Sequence, residues 1–417
     1  MRFNEFRSEL PEHGLTFLAE IPYVYHCHHF NLFHDQSIED ALGEDEANQL
    51  KVEAAHEAFR GLLSRVISTS GASTPAERLE LATALFGWMG HGRMELLVDG
   101  SAGHGRGEFL HYSFAWREKY GSKVKRLDPL DGVAAGFAAA AVEVAHDLPF
   151  GSVSSRESAC YGKRDPFCEF ELTPTSARPA PKQVDQAAEA GEVGSPLQGL
   201  DEDRIAAISQ GLREFLSGVE GDERGLVQAF NVFAAMHLPT YYNRTAYEAL
   251  RRVAERAPAA LPAAQALFGE SGHVCVFYTF GNLLLSAEWE GLVGPLSGAP
   301  EDTVAYCCAI ARGLGFGHWA LASFEQNNHL VLRTPSNYES PFYRVHWGAA
   351  DQPCCHFFSH SARAMMHLAH DINLGSKPQI DDELYQTLFR SGVRWNMEET
   401  RCVSRGDDHC EVVVEKA

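Results

Sequence analysis

The sequence repeats one frame near the end of each of its halves. Glu157 is followed two residues on by Cys160 and, after seven more, by Cys168; Glu399, 242 residues later, is followed in the same way by Cys402 and Cys410. In a chain with 10 Cys and 56 acidic residues among 417, one such frame is expected by chance only about 0.03 times. Two in matching places are a designed feature. Between the cysteines stand GKRDP and SRGDD, letters of a tight turn, which set each pair at the base of a hairpin with both sulfurs on one side. Two thiolates and a carboxylate converging there suit Zn²⁺ in four-coordinate geometry with one further ligand. The plainer alternative is two buried thiols beside a solvent-facing Glu.

The frame also orders the rest of the chain. Residues 173–196, TPTSARPAPKQVDQAAEAGEVGSP, hold almost no large apolar side chains and read as a linker. The halves on either side share a coarse order. Each has an apolar helical run ending in a Gly-rich break (LELATALFGWMGHG, VAYCCAIARGLGFG) and then a strand with an aromatic turn (EFLHYSFAWREKYG, HLVLRTPSNYESPFYRV). A second apolar helix closes on Ala-His-Asp, and the Glu-Cys-Cys hairpin follows. This predicts an α+β protein made of two tandem copies of a mixed helix and antiparallel-sheet domain, residues 1–174 and 199–417, joined by a linker at 175–198. GLGFG at 313–317 ends a helix rather than following a strand, so it reads as a helix C-cap and not as a phosphate loop.

Composition bounds the partners. A net charge of −21 argues against a nucleic-acid backbone or an anionic membrane as partner, since either would want a basic face. MRFNEFRSEL lacks a signal-length apolar run and no run of about 18 apolar residues follows, so a cytoplasmic location is expected. There the cysteines stay reduced, and clustered ones read as metal ligands before disulfides. No GxxxxGK[ST] occurs, which excludes a stand-alone ATP-driven transcription activator.

With these residues on view, the chain resembles the vinyl-4-reductase domain family, which includes the sensory domains of phenol- and xylene-responsive bacterial activators and a protein of bacteriochlorophyll synthesis. The family signature has Pro-x-Cys opening a helix, then Glu-x2-Cys-x7-Cys with Gly-Asp in the turn. The resemblance implies a zinc-bearing α+β domain that binds small aromatic or tetrapyrrole-like ligands. In the second half PCC at 353–355 makes Cys355, Glu399, Cys402 and Cys410 the implied zinc ligands. In the first half Pro129-Leu130-Asp131 puts an Asp where the Cys is expected, so the implied set is Asp131, Glu157, Cys160 and Cys168. Four protein ligands are the mark of a structural zinc. The segment from Cys355 to Glu399 is longer than the family pattern and contains NLGSKPQIDDELYQTLF, which reads as an extra helix over the pocket. The family's single domains pair as dimers, which implies an intrachain pseudo-dimer here and leaves a homodimer open. Its ligand lies between helices and sheet, which implies Tyr112 and Trp116 in the first half and Thr334 and Tyr338 in the second as ligand-binding residues on the strand before the Pro-x-Cys helix.

The most unusual letters are YHCHHFNLFHD, residues 25–35. On a strand His26 and His28 share a face, and such imidazoles bind a further metal or relay protons. Their apolar neighbours predict burial, with a metal, a ligand or a carboxylate such as Glu20 or Asp35 in contact. Three functions remain open from the sequence: a binding protein for a small apolar or aromatic molecule with a structural zinc in each repeat, a metal-dependent enzyme using His26, His28 and His29 with His91, His104 or His111, and an interaction scaffold with two zinc staples. Substrate, reaction and pathway are not legible.

Overall fold

The computed structural model describes residues 3–182, 184–185, 196–392 and 394–417. Part of the expected linker, residues 183 and 186–195, lies outside the described residues. The described residues form a mixed α/β structure of helices and three antiparallel sheets. Among the described residues, no helix is long and apolar enough to cross a membrane.

The first sheet runs β1 (Arg7–Leu10), β2 (Leu15–Leu18), β3 (Ile21–Cys27), β9 (Val232–His237), β8 (Val227–Ala229). Its centre is the pairing of β3 with β9, with Val24 opposite His237, Tyr25 opposite Met236, His26 opposite Ala235 and Cys27 opposite Ala234. Segments on either side of the expected linker are therefore joined through backbone hydrogen bonds. Each of these two strands runs directly into a helix, His28–Leu42 after β3 and Pro239–Arg256 after β9.

The other two sheets have four strands each and the same strand order. One is β4 (Glu95–Asp99), β5 (Ala102–Gly107), β7 (Cys168–Pro174), β6 (Val153–Ala159). The other is β10 (Ala320–Glu325), β11 (His329–Thr334), β13 (Cys410–Lys416), β12 (Trp395–Arg401). In β7 and β13 alternate residues are buried, the period of a strand with one covered face.

The covering helices explain the apolar runs. GVAAGFAAAAVEVA, Gly132–Ala145, is buried on every side, which is why it carries no polar stripe. It lies against the long helix Glu44–Ser70, and the two backbones approach closely at Gly136, where an added Cβ would stand 2.4 Å from Val52 O and 2.6 Å from Ala55 Cβ. Its one charged residue, Glu143, is fully buried and matched: His56 Nε2 lies at 2.8 Å, Arg60 Nη1 at 2.7 Å, and Val153 N donates at 3.0 Å. The second half repeats the device, His356–His370 lying on Leu261–Cys275 with Gly272 against the carbonyl of Phe357.

One expectation is corrected. The aromatic run after β5 is not a strand: His111–Tyr120 is a helix, so Tyr112 and Trp116 are helical residues. Burial of His111, Tyr112, Phe114, Ala115 and Trp116 follows from contact with both halves rather than from two-residue alternation, and Arg117 and Lys119 in the last turn suit the negative end of the helix dipole. In the second half the strand is present but ends at Thr334, and Tyr338 lies in the connection to the helix Ser340–Trp347.

The close approach at Gly136 yields a measurable outcome. Gly136→Ala gains about 1 kcal/mol of helix propensity but must push the two helices apart, so a net loss on the order of 1–3 kcal/mol is expected. Gly291→Ala, in the helix Ala287–Val293 with nothing within 4 Å of the added Cβ, is the control and should be neutral or stabilising. Urea midpoints of the two variants decide it; equal midpoints would contradict the packing described.

Candidate metal centres and ligand cleft

Both Glu-Cys-Cys hairpins are built alike. In each the register of the strand pair shifts just after the Glu, between Glu157 and Ala159 on β6–β7 and between Glu399 and Arg401 on β12–β13. A short turn then folds over an Asp that accepts the backbone N–H of the first cysteine at 2.8 Å, Asp165 for Cys160 and Asp407 for Cys402. A residue with positive φ, Arg164 in one and Gly406 in the other, turns the chain toward the second cysteine. The bulge and turn bring Glu and both thiols to one side.

The N-cap of the helix that precedes each hairpin supplies the fourth donor, Asp131 before Gly132–Ala145 and Cys355 before His356–His370. Among the described residues, ligand atoms of Asp131, Glu157, Cys160 and Cys168 lie within 4.8 Å of one another, and so do those of Cys355, Glu399, Cys402 and Cys410. These two clusters can hold a metal ion. In the second, Cys355 Sγ is 3.8 Å from Cys402 Sγ and 3.5 Å from Cys410 Sγ; two sulfurs on one tetrahedral Zn²⁺ stand about 3.8 Å apart. Backbone N–H groups steady the sets. Tyr161 N lies 3.2 Å from Cys168 Sγ and Val403 N 3.3 Å from Cys410 Sγ.

The donors fit a cation on a further ground. Glu157 Oε2 accepts the N–H groups of Leu130 and Asp131, and Glu399 Oε2 that of Cys355, while the second oxygen of each carboxylate is buried with no hydrogen-bond partner. Burial and the neighbouring thiolate push both Glu carboxyls up, and burial with Glu157 alongside pushes Asp131 to about 7. The proton affinity of the first thiol falls instead: Cys160 drops to about 7, hydrogen-bonded by Cys168, and Cys402 drops far below the usual thiol range, hydrogen-bonded by Cys354, Cys355 and Cys410. Crowded anions in a buried place are what a divalent cation relieves.

Sequence reasoning missed the side chains around these sets. Asn337 Nδ2 lies 3.5 Å from both Cys355 and Cys410 Sγ, and Ser113 Oγ 3.2 Å from Cys168 Sγ. Neither position is marked in the sequence, since Ser and Asn are common loop letters and only the fold brings them to the sulfurs.

The histidine run departs from expectation. β3 ends at Cys27 and a helix begins at His28, so His26 and His28 share no face. His26 is fully buried, stacked between Phe30 and Phe316 with centroids at 3.7 and 4.7 Å, with Cys275 Sγ at 3.6 Å from its Nδ1. His28 Nδ1 meets the backbone of Phe233, and His29 Nδ1 accepts Lys119 Nζ at 2.7 Å. The expected carboxylates are engaged elsewhere, Glu20 with Arg65 and Asp35 with Tyr241 and Lys51. Among the described residues these imidazoles belong to neither converging donor set. Of the other histidines, His91 and His111 are buried, whereas His104 sits on β5.

What the run does build is a buried polar core across the two halves. Tyr242 OH donates to Asn31 Oδ1 at 2.6 Å, His34 Nε2 meets Thr245 Oγ1 at 2.9 Å, Tyr241 OH donates to Asp35 Oδ1 at 2.8 Å, and Tyr112 OH meets His237 Nε2 at 3.0 Å. Tyr112, Thr334 and Tyr338 are all core residues: Thr334 Oγ1 donates to Ser336 O, and the Tyr338 carbonyl accepts from Asn243. Trp116 differs, because it lines a cleft of about 450 Å³ between the helix His28–Leu42 and the segment 120–130.

No protein-family model matches this chain, and no curated protein matches it. Among solved structures it is similar to a crystal structure of the phenol-responsive sensory domain of the transcription activator PoxR with phenol, at 16% identity and a TM-score of 0.35, over 41% of this chain and 86% of that one. A likeness of that degree carries no inference about function.

The buried imidazoles make stability depend on pH. Burial holds His28 and His91 at about 4 and His34 at about 3, with His26, His29, His111 and His237 also well below the ordinary value. In the unfolded chain they titrate near 6.5, so between about 6.5 and 4 the unfolded state holds protons the folded state refuses. Each such group therefore lowers stability as pH falls through that window, by about 1.4 kcal/mol per pH unit. Buried carboxyls oppose them, since burial pushes Asp35 to about 6, Glu57 to about 7 and Glu339 to about 8 and unfolding releases their protons. The test is therefore a single ring: in denaturant titrations at pH 7.5 and 5.5, His91→Gln should shift the stability difference between the two pH values by about 1 kcal/mol in favour of pH 5.5, and an unchanged difference would refute neutral burial of His91.

Proposed function

We propose that this chain is a small-molecule-binding protein of vinyl-4-reductase type, built from two tandem copies of one α+β unit, each fastened by a structural zinc. The observation that carries the reading is the pair of four-donor clusters, each at the base of the same bulged hairpin and each with one buried Glu oxygen left unpartnered. Zinc would be held by Asp131, Glu157, Cys160 and Cys168 in one copy and by Cys355, Glu399, Cys402 and Cys410 in the other. Bound there it supplies no open coordination position; it ties the C-terminal hairpin to the helix that packs beneath it.

Register supports duplication with an intrachain pseudo-dimer. Asn31 and Tyr242 are hydrogen-bonded and stand 211 residues apart, as are His34 and Thr245. Tyr25 and Met236, opposite each other at the centre of the β3–β9 pairing, have that same spacing. Residues equivalent in two copies meet each other only on a local twofold axis, so a single offset recurring along this line is what such an axis produces. The division that goes with this reading is 1–174, 175–198 and 199–417. The ligand site falls to the cleft at Trp116, which joins apolar and aromatic side chains to charged ones and whose volume is in the range of small-molecule pockets.

Metal analysis tests the central element. The purified chain is expected to carry two zincs, and Cys402→Ser and Cys160→Ser each to lose about one with a lower Tm, because metal affinity is folding free energy at such a site. Unchanged stoichiometry in both variants would overturn the reading.

A further inference from the structure

The cleft beside Trp116 has a polarity that an apolar ligand alone does not explain. Phe33, Trp116, Tyr120 and Leu127 form its walls, and Asp35 and Glu39 lie at its floor, both buried. Glu39 is saturated: Lys51 Nζ donates to it at 2.8 Å and Arg126 Nη2 at 2.6 Å. Arg126 also spends its donors on the carbonyls of Asp128 and Pro129. Asp35 is not saturated. Its Oδ1 takes the Tyr241 hydroxyl, while its Oδ2 is buried, accepts no hydrogen bond, and has Lys51 Nζ only at 3.5 Å.

The mouth is acidic in the same sense. Glu44 and Asp128 both line the cleft, against one lysine there, Lys125, and contact with Asp128 pushes the Glu44 carboxyl up. Among the described residues neither carboxylate stands in an ion pair with a Lys or Arg. Two like charges held together at an opening, on a chain of net charge −21, draw cations inward. Aromatic walls around the same space stabilise a cation by their ring faces.

Taking as given the reading of this cleft as a small-molecule site, we propose that its ligand is an organic cation: an ammonium group on an apolar or aromatic body, with the body against Trp116, Tyr120 and Phe33 and the ammonium donating to Asp35 Oδ2. The Glu44 and Asp128 carboxylates steer it in. Lys51 and Arg126 together balance the charges of Asp35 and Glu39, so the floor offers one open acceptor, Asp35 Oδ2, and the attraction for a positive head comes from the carboxylates at the mouth and the aromatic walls.

Calorimetry on the full chain compares 2-phenylethylamine with 2-phenylethanol, which has the same shape and no charge. The amine is expected to bind about tenfold tighter or better, charge-assisted hydrogen bonds being roughly twice as strong as neutral ones, and to weaken as salt is raised. Asp35→Asn should remove most of that preference, and Trp116→Ala should weaken both probes. Because Asp35 is buried and its variant can misfold, the surface double variant Glu44→Gln, Asp128→Asn is the second arm, expected to weaken the amine several-fold and leave the alcohol unchanged. Alcohol binding as tight as the amine would overturn the cation proposal while leaving the small-molecule reading intact. Failure of both probes on the wild-type chain would overturn the small-molecule reading as well.

Discussion

The antiparallel pairing of β3 with β9 is the constraint on which the rest of the structure depends. It is made by backbone groups, so it fixes how the two helices that follow, His28–Leu42 and Pro239–Arg256, face each other before any side chain is considered. Facing helices normally present apolar stripes. These present Asn31, His34 and Asp35 on one side and Tyr241, Tyr242 and Thr245 on the other, all buried. Each finds its partner on the opposite helix. Loosening the strand pairing would therefore orphan several buried polar groups at once, each costing about 1–3 kcal/mol, and this ties the two segments into one cooperative unit.

The two donor sets carry the same formal charge when ionised but differ in kind. Asp131 offers a hard oxygen where Cys355 offers a soft sulfur, each at the N-cap of the helix that precedes its hairpin. A cation that prefers sulfur would meet three cysteines in the second set and two in the first, so the second set suits such an ion better. The surroundings follow this difference. The amide of Asn337 points two contacts at sulfurs of the three-thiolate set, where more negative charge rests on sulfur, whereas Ser113 places one hydroxyl beside Cys168.

The donor sets are legible in the sequence because metal chemistry restricts which letters can serve and hairpin geometry restricts their spacing; Glu-x2-Cys-x7-Cys leaves little room for another fold. Helix order is legible for the same kind of reason, since runs such as GVAAGFAAAAVEVA cannot be placed anywhere but in a core. The histidine run misleads because a strand-to-helix junction after Cys27 breaks the two-residue alternation that would put His26 and His28 on one face, and nothing local marks that junction: Cys27 makes no side-chain cap. His111–Tyr120 misleads in the opposite way. Its burial comes from contact with β9 and the helix His28–Leu42 across the chain, so the pattern of polar and apolar letters reports tertiary contact rather than local period. Lys51 is illegible altogether. A lysine is almost never fully buried unless paired, and its partners Asp35 and Glu39 lie on a different helix.

The same comparison explains why a cleft opens beside Trp116 while the corresponding place in the second half is filled. Gln36 is the ninth residue of its helix as Tyr247 is of Pro239–Arg256, and counted back from the helix end Trp116 and Tyr120 occupy the places of Tyr343 and Trp347. In the second half these three aromatics pack together, Tyr247 lying 5.2 Å from Tyr343 and 5.6 Å from Trp347 by ring centroids, and the Tyr247 hydroxyl closes the gap by donating to the Cys354 carbonyl at 3.0 Å. In the first half the tyrosine is replaced by an exposed Gln, and the segment leading to the metal cluster runs from Gly121 to Asp131 rather than from Gly348 to Cys355. Removing the wedge and lengthening the segment leave Trp116 and Tyr120 facing a space of about 450 Å³ instead of a third ring. The two places thus differ through one side chain and a few residues of loop, one filled by its own aromatic side chain and the other open.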